Sequence, residues 1–117
     1  MKKIIIVLIF MILGNADSYS QSISCQELFE YVTTKYDSKE SVNCYGSTML
    51  VKVDNYVINY KNYIVAYIKK NDYDFKGSPY IFCGIPNLNW SYFKYNSKGS
   101  WGESFHEYIM DYKCNCK

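Results

Sequence analysis

The alternation of apolar and polar residues predicts a helix near the start of the folded region. Residues 24–27 fit a capping box, with Ser24 as the N-cap and Glu27 three residues later. The helix that follows is expected to reach about Tyr36, because its apolar residues recur at helical spacing. Residues 37–41 are polar and predict a connection.

From residue 45 to residue 84 the pattern becomes typical of strands. Turns are predicted at Asp54-Asn55 and Lys61-Asn62, because polar residues interrupt the apolar segments there. The segment 63–68 is apolar on both faces, which indicates a central strand. The predicted strands are 49–53, 56–60, 63–68 and 80–83.

Two helices are expected after the strands. Asn87 is predicted to cap the first, with Trp90 and Phe93 on its buried side. Ser100 and the following residues form a second capping-box pattern, and an apolar stripe continues into the last helix. The predicted fold class is α+β, a small antiparallel sheet of three or four strands with one N-terminal and two C-terminal helices.

The first twenty residues have the pattern of a signal peptide. Two lysines precede an unbroken apolar run at 4–13, which is too short to span a bilayer as a helix. Small residues at Ser18 and Ser20 suit a cleavage site before Gln21, although a cut before Tyr19 and an uncleaved anchor remain alternatives. We therefore divide the chain into a signal peptide (1–20), an N-terminal helix and connection (21–46) and a main domain (47–117).

Composition narrows the functional classes. The 117 residues contain 49% hydrophobic and 21% charged side chains, which is typical of a globular protein. There are 14 tyrosines, and the net charge is only +2. All 13 basic residues are lysines, and because 11 acidic residues nearly balance them, the chain has no strong electrostatic footprint for nucleic acid. The signal pattern and the residue bias indicate an exported bacterial protein, periplasmic or secreted, with no stable membrane insertion after cleavage.

The five cysteines all follow the predicted cleavage site. Exported proteins meet oxidising conditions, so disulfides are expected. Cys83 lies inside an apolar strand segment and is predicted to be the unpaired, buried thiol. The disulfide candidates are Cys25, Cys44, Cys114 and Cys116, and the sequence leaves their pairing open. Cys114 and Cys116 are also candidates for a metal site, but no spacing supplies its other ligands, so no metal or cofactor is predicted.

Few residues carry groups suited to catalysis. His106 is the only histidine, and it lies near Glu103 and Glu107 on a predicted helix where a surface position is favoured. A nucleophilic pair of Cys83 and His106 would need an orienting third group that the sequence does not indicate. We therefore predict a protein that is not an enzyme.

The second half of the chain resembles a known family. A Tyr-Ile-Phe strand is followed by Gly-Ile-Pro, an aromatic helix and Ser-Lys-Gly. This order resembles the KTSC domain family, named after the C-terminal domain of some lysyl-tRNA synthetases. The chain departs from the family pattern at Phe82, where the family has a second tyrosine, and in a longer stretch after Gly99. The matching positions are Tyr80, Phe82, Gly84, Ile85, Pro86, Trp90, Phe93, Ser97, Gly99 and Ile109.

The resemblance implies no established activity, although RNA binding has been suggested for the family. We favour an exported, non-catalytic binding module that contacts an envelope protein or a glycan through exposed tyrosines and asparagines. The alternative is a module for RNA or single-stranded nucleic acid, which the resemblance alone suggests. It requires exposed rings beside clustered lysines. The candidate lysines are Lys61, Lys69, Lys70 and Lys94.

Overall fold

Four antiparallel strands and three helices make up residues 23–117, the part of the chain that the computed structural model describes. The strands lie in the sheet in chain order, each beside its sequence neighbour. The predicted α+β class is confirmed, while the predicted signal peptide lies outside the described residues. The elements are α1 (Cys25–Lys35), β1 (Ser38–Asn43), β2 (Leu50–Ile58), β3 (Lys61–Ile68), β4 (Ser78–Cys83), α2 (Asn87–Lys94) and α3 (Trp101–Tyr108).

Helix α1 covers one face of the sheet, which we call the α1 face. Its capping box forms as predicted: the Ser24 hydroxyl accepts from the Glu27 amide at 3.0 Å, and the Ser24 amide donates to the Glu27 carboxylate at 3.1 Å. Val32 is fully buried and packs with Tyr56 and Val65 of the sheet. The helix is thus fixed at its first turn by hydrogen bonds and at its centre by apolar packing.

The opposite face carries the main core and is covered by α2 and α3. Phe93 of α2 and Phe105 of α3 are both fully buried, with ring centroids 6.4 Å apart. Phe105 also meets Phe82 of β4 edge to face at 5.3 Å. Because both faces of the sheet are covered, β3 is apolar on both sides, as predicted for a central strand.

The strand boundaries differ from the predicted ones. The polar segment expected to be a connection is strand β1, an exposed edge strand whose charged residues suit that position. Asp54 and Asn55 do not form a turn but lie in the middle of β2, both buried. The turn between β2 and β3 is instead formed by Asn59 and Tyr60, whose φ angles of 51° and 64° fit a type I′ hairpin. Lys61, predicted to be in a turn, begins β3.

A ladder of buried amides joins the sheet to α2. The Asn55 amide donates to the Asn62 side-chain oxygen at 3.0 Å. The Asn62 amide in turn donates to the Ile85 carbonyl at 2.8 Å and to the Asn87 side-chain oxygen at 2.7 Å. The prediction that Asn87 caps α2 is wrong, because the N-cap is Pro86, which supplies no side-chain bond. Asn87 is used to hold the helix against β3.

Ser100 caps helix α3, but among the described residues only this half of the predicted capping box forms. The Ser100 hydroxyl accepts from the Glu103 amide at 3.3 Å. The buried Ser104 hydroxyl donates to the Asn96 side chain at 2.9 Å and accepts from the Lys98 amide at 3.3 Å. These bonds fasten the connection between α2 and α3 to the second helix.

Two disulfides join the C-terminal tail (residues 109–117) to the rest of the fold. They pair Cys25 with Cys116 and Cys83 with Cys114. Cys44 is the free cysteine and is buried in the main core, so its prediction as a disulfide candidate is wrong, as is the prediction that Cys83 is unpaired. Cys83 lies in an apolar strand but is still paired, because β4 is an edge strand and the tail runs beside it. The predictions for the other three cysteines are confirmed, and the two disulfides are compatible with an exported protein.

No helix within residues 23–117 is both long enough and apolar enough to cross a membrane.

Candidate binding groove

The outer edge of β4 is only partly covered. The Gly84 amide donates to the Asn62 carbonyl at 3.1 Å, just beyond the pairing of β3 with β4. Because bonded pairs alternate along an antiparallel ladder, the amides of Ile81 and Cys83 point away from β3. The Cys83 amide donates to the Tyr112 carbonyl at 2.8 Å. The tail therefore covers this end of the edge and leaves the Ile81 end beside it open.

The tail then leaves β4 and crosses to α1. Lys113 forms an isolated antiparallel bridge with Phe82, the last pairing between the tail and the strand. At the far end of the tail, the Lys117 carbonyl accepts from the Cys25 amide at 2.8 Å at the start of α1. The two disulfides lie along this crossing, so the tail is held away from the rest of the β4 edge.

The space between the tail, β4 and the start of α1 is a groove of about 520 Å³, which we call the tail groove. This volume lies within the range of ligand sites in proteins, roughly 300–1,000 Å³. Its lining is mostly apolar and comes from α1, from both faces of the sheet edge and from the tail. The main apolar contributors are Phe29, Ile68, Pro79, Ile81, Phe82 and Met110.

Few polar groups reach the tail groove. Lys113 is the one charged side chain of its lining, and it forms no ion pair within the described part of the chain. Gln26 also lines the groove, and its amide donates to the Glu30 carboxylate at 3.2 Å. Tyr80 stands at the rim with 51% of its surface exposed. The cysteines of the lining are all in disulfides, so the groove offers contacts for binding and no thiol nucleophile.

The candidate catalytic residues do not come together. Cys83 is in a disulfide, so the pair of Cys83 and His106 does not exist as a nucleophile and base. His106 is exposed on α3 in a shallow depression that it shares with Lys98, Glu103 and Glu107. In residues 23–117 no three side chains of the metal-binding types cluster at a spacing that could hold an ion.

A buried charge lies on the α1 face. Asp54 is 1% exposed, and its carboxylate is 3.5 Å from the Lys52 ammonium and 3.9 Å from that of Lys39. Each lysine also stands over a ring, Lys52 over Tyr67 at 4.8 Å and Lys39 over Tyr56 at 5.3 Å. Two half-exposed cations therefore neutralise the buried carboxylate, as expected for a structural ion cluster.

Half of the residues of the predicted family motif lie in the core. Trp90 packs against Phe93 with ring centroids 5.8 Å apart, and its indole nitrogen donates to the Glu40 carboxylate at 2.9 Å. Ser97 donates from its hydroxyl to the Tyr108 hydroxyl at 3.0 Å. The motif residues buried in the core are Phe82, Ile85, Trp90, Phe93 and Ile109. Gly84 and Gly99 have φ angles of 69° and 84°, and Pro86 precedes α2. Only Tyr80 and Phe82 of the motif line the tail groove.

The lysines that the nucleic-acid hypothesis needs to be clustered lie apart. Lys61 begins β3 and Lys69 follows its last residue, so the two lie about 27 Å apart along an extended strand. The Lys69 ammonium donates to the Ser47 carbonyl at 2.8 Å. Lys94 is bound to Glu40 at 3.1 Å. The predicted cluster of four is therefore wrong.

Exposed aromatic residues occupy several loops. Tyr60, in the turn between β2 and β3, is 97% exposed, and Tyr73 and Phe75 project from the connection before β4 at 85% and 80%. Tyr45 and Tyr95 lie on two further connections and are also exposed. The exposed rings that the binding-module hypothesis requires are thus present.

Sequence reasoning did not find the tail groove. Its lining combines residues far apart in the chain, and no local pattern links Phe29 with Met110. The one feature of the sequence that bears on the groove is the Cys114-Asn115-Cys116 tail. Its two cysteines have different partners, so the tail is joined to two separate elements.

No family model, no curated protein and no solved structure matches the chain. The resemblance to the KTSC family stays a prediction that the motif residues alone support.

Proposed function

We propose that the protein is a small exported, non-catalytic binding module of a bacterium, and that the tail groove is its binding site. One observation carries the proposal: an apolar groove of about 520 Å³ lies between three separate segments, and two disulfides fasten its tail wall to the other two. A concave, mostly apolar surface with few polar groups is the usual form of a ligand site.

The disulfides support the proposal because they reduce the freedom of the groove before binding. One wall is the tail, and each disulfide ties it to a different element, Cys83 in β4 and Cys25 in α1. A wall that is already ordered loses little conformational entropy when a ligand binds, so more of the contact energy appears as affinity.

The rim supports a partner of the protein or glycan class. Tyr80 is half exposed at the groove, and a tyrosine ring offers apolar area with a hydroxyl for hydrogen bonding. Tyr73 and Phe75, which lie earlier in the chain in the connection before β4, are also exposed. We therefore propose an envelope protein or glycan as the partner class, with the nucleic acid of the alternative hypothesis as a competitor in the test.

The test is an NMR titration of the oxidised, ¹⁵N-labelled protein with a panel of small apolar compounds, envelope glycans, short peptides and a single-stranded oligonucleotide. We expect shifts of the amides of Phe29, Ile81 and Met110, and none at Tyr45, which does not line the groove. Shifts that cluster away from the groove, or no shifts with any compound, would refute the proposal. A response to the oligonucleotide alone that weakens steeply with salt would favour the nucleic-acid alternative.

A further inference from the structure

We infer that the tail groove binds an amphiphile: an apolar body lies along β4, and an anionic head is held by Lys113. This inference rests on the binding role proposed for the tail groove. It concerns the ligand that fills the groove itself, as distinct from the protein or glycan partner proposed from the exposed rings at and near its rim. It joins two observations, the apolar lining of the groove and its single unpaired cation.

The shape of the groove suits a short apolar chain. Residues 79–82 of β4 run along it for about 10 Å. This length matches roughly eight carbon atoms of an extended chain at about 1.3 Å per bond. Phe29 and Met110 contribute apolar contacts from α1 and from the tail. A ligand of this length would remove apolar surface from water along its whole body, which is the main source of affinity for such a ligand.

The positive charge of Lys113 favours an anionic head group on the ligand. Lys113 is the only charged residue of the lining, and no acidic side chain within the described residues pairs with it. Its backbone is fixed by the bridge to Phe82, so its exposed side chain starts from a fixed point at the lining of the groove. The Ile81 amide, which points away from β3, adds a second donor along the same edge. Both groups favour an anion, and the lining offers no carboxylate to attract a cation.

The edge of β4 is less suited to an added peptide strand. Pro79 falls at one of the positions whose backbone groups point outward, and proline has no amide to donate. The open part of the edge therefore presents Ile81 as its outward donor, since the Cys83 amide is already used by the tail. A peptide would gain few main-chain bonds here, whereas an acyl or aryl chain needs none.

Matched ten-carbon compounds test the inference. Calorimetric titrations of the oxidised protein use decanoate and decyltrimethylammonium below their micellar concentrations and decanol below its solubility limit. The three compounds share a ten-carbon chain and differ in the head group. We expect decanoate to bind most tightly. Octanoate should bind nearly as tightly as decanoate, because the groove matches about eight carbon atoms. Hexanoate should bind more weakly than octanoate, by a factor that approaches about fourfold per methylene where burial is complete.

Variants of exposed lysines separate charge from packing. Lys113→Gln is expected to weaken decanoate binding about threefold to fivefold, in the range of an exposed ion pair, and to leave decanol within about twofold. Lys98→Gln is the matched control, because Lys98 is exposed outside the groove, and it should leave both affinities unchanged. Circular dichroism of both variants verifies that the fold is kept.

The outcomes distinguish the two proposals. If the three heads bind equally, or if Lys113→Gln has no effect on decanoate, the inference is overturned while a binding role for the groove stands. The inference is also overturned if extended peptides shift the groove amides and the amphiphiles do not. If no compound of either panel shifts a groove residue, the proposed function itself is refuted.

Discussion

The disulfide between Cys25 and Cys116 should contribute more to stability than the one between Cys83 and Cys114. We compare the double variants Cys25→Ser/Cys116→Ser and Cys83→Ser/Cys114→Ser with the wild type. The first link spans 91 residues of chain and the second spans 31. A longer closed loop removes more conformations from the unfolded chain, so its loss is expected to lower the free energy of unfolding further.

The magnitudes follow from the loop lengths. Taken alone, loops of this size give about 4.6 kcal/mol for Cys25–Cys116 and about 3.7 kcal/mol for Cys83–Cys114. The two loops share chain, because with Cys83–Cys114 intact the path from Cys25 to Cys116 shortens to about 60 residues. The expected losses then fall to about 4.3 and about 3.3 kcal/mol, still in the same order.

Urea unfolding followed by circular dichroism and by tryptophan fluorescence measures these losses. Asn115→Ser is the control, since this exposed residue lies between the two paired cysteines and forms no disulfide. Its midpoint should equal that of the wild type. If removing Cys83–Cys114 costs more than removing Cys25–Cys116, or if either loss is below about 1 kcal/mol, the explanation from the unfolded chain is refuted.

Three further predictions concern buried and paired side chains. Burial raises the pKa of the Cys44 thiol to about 12, so a thiol reagent at neutral pH should find no reactive group in the native protein and one after unfolding; native labelling would contradict this. Asn62→Ala breaks two buried hydrogen bonds and a partly buried one, and it should lower the free energy of unfolding by about 2–4 kcal/mol. Asn87→Ala breaks only the partly buried bond and should cost about 1 kcal/mol; equal losses in urea would contradict the ladder. The hydrogen bond from the Trp90 indole, and also Lys94, lower the pKa of the Glu40 carboxyl below 4.5. The stability that the ionised Glu40 contributes is therefore present above that pH and is lost as the pH falls through the folded pKa. Glu40→Gln should therefore cost less than about 1 kcal/mol at pH 7, and the gap from the wild type should close in acid; a gap that is constant with pH would refute this.

The elements with a strong local signal were predictable from the sequence. Ser24 and Glu27 form the capping box, Ser100 caps α3, and the two-sided apolar segment is the central strand β3. The errors lie where tertiary contacts override local chemistry. Asp54 and Asn55 have the composition of a turn, but neighbours on both sides pair with them as a strand.

The site was less predictable than the fold. Burial of Cys44 and pairing of Cys83 depend on which strand is at the sheet edge, and no local pattern fixes that order. The tail groove is likewise a product of topology, because its walls come from opposite ends of the described chain. Five of the ten residues of the family motif lie in the core and only two line the groove, so the motif bears on the fold more than on the ligand.

The pairing of Cys25 with Cys116 has a consequence for the order in which the molecule matures. A ribosome makes Cys116 91 residues after Cys25, so the thiol of Cys25 waits while Cys44 and Cys83 emerge as competing partners. An eleven-residue helix is not stable alone, so α1 cannot protect Cys25 by itself. Packing of the core removes one competitor, because it withdraws Cys44 from exchange. The choice of oxidation partners is thereby narrowed to the four cysteines of the native disulfides, which leaves three ways to pair them.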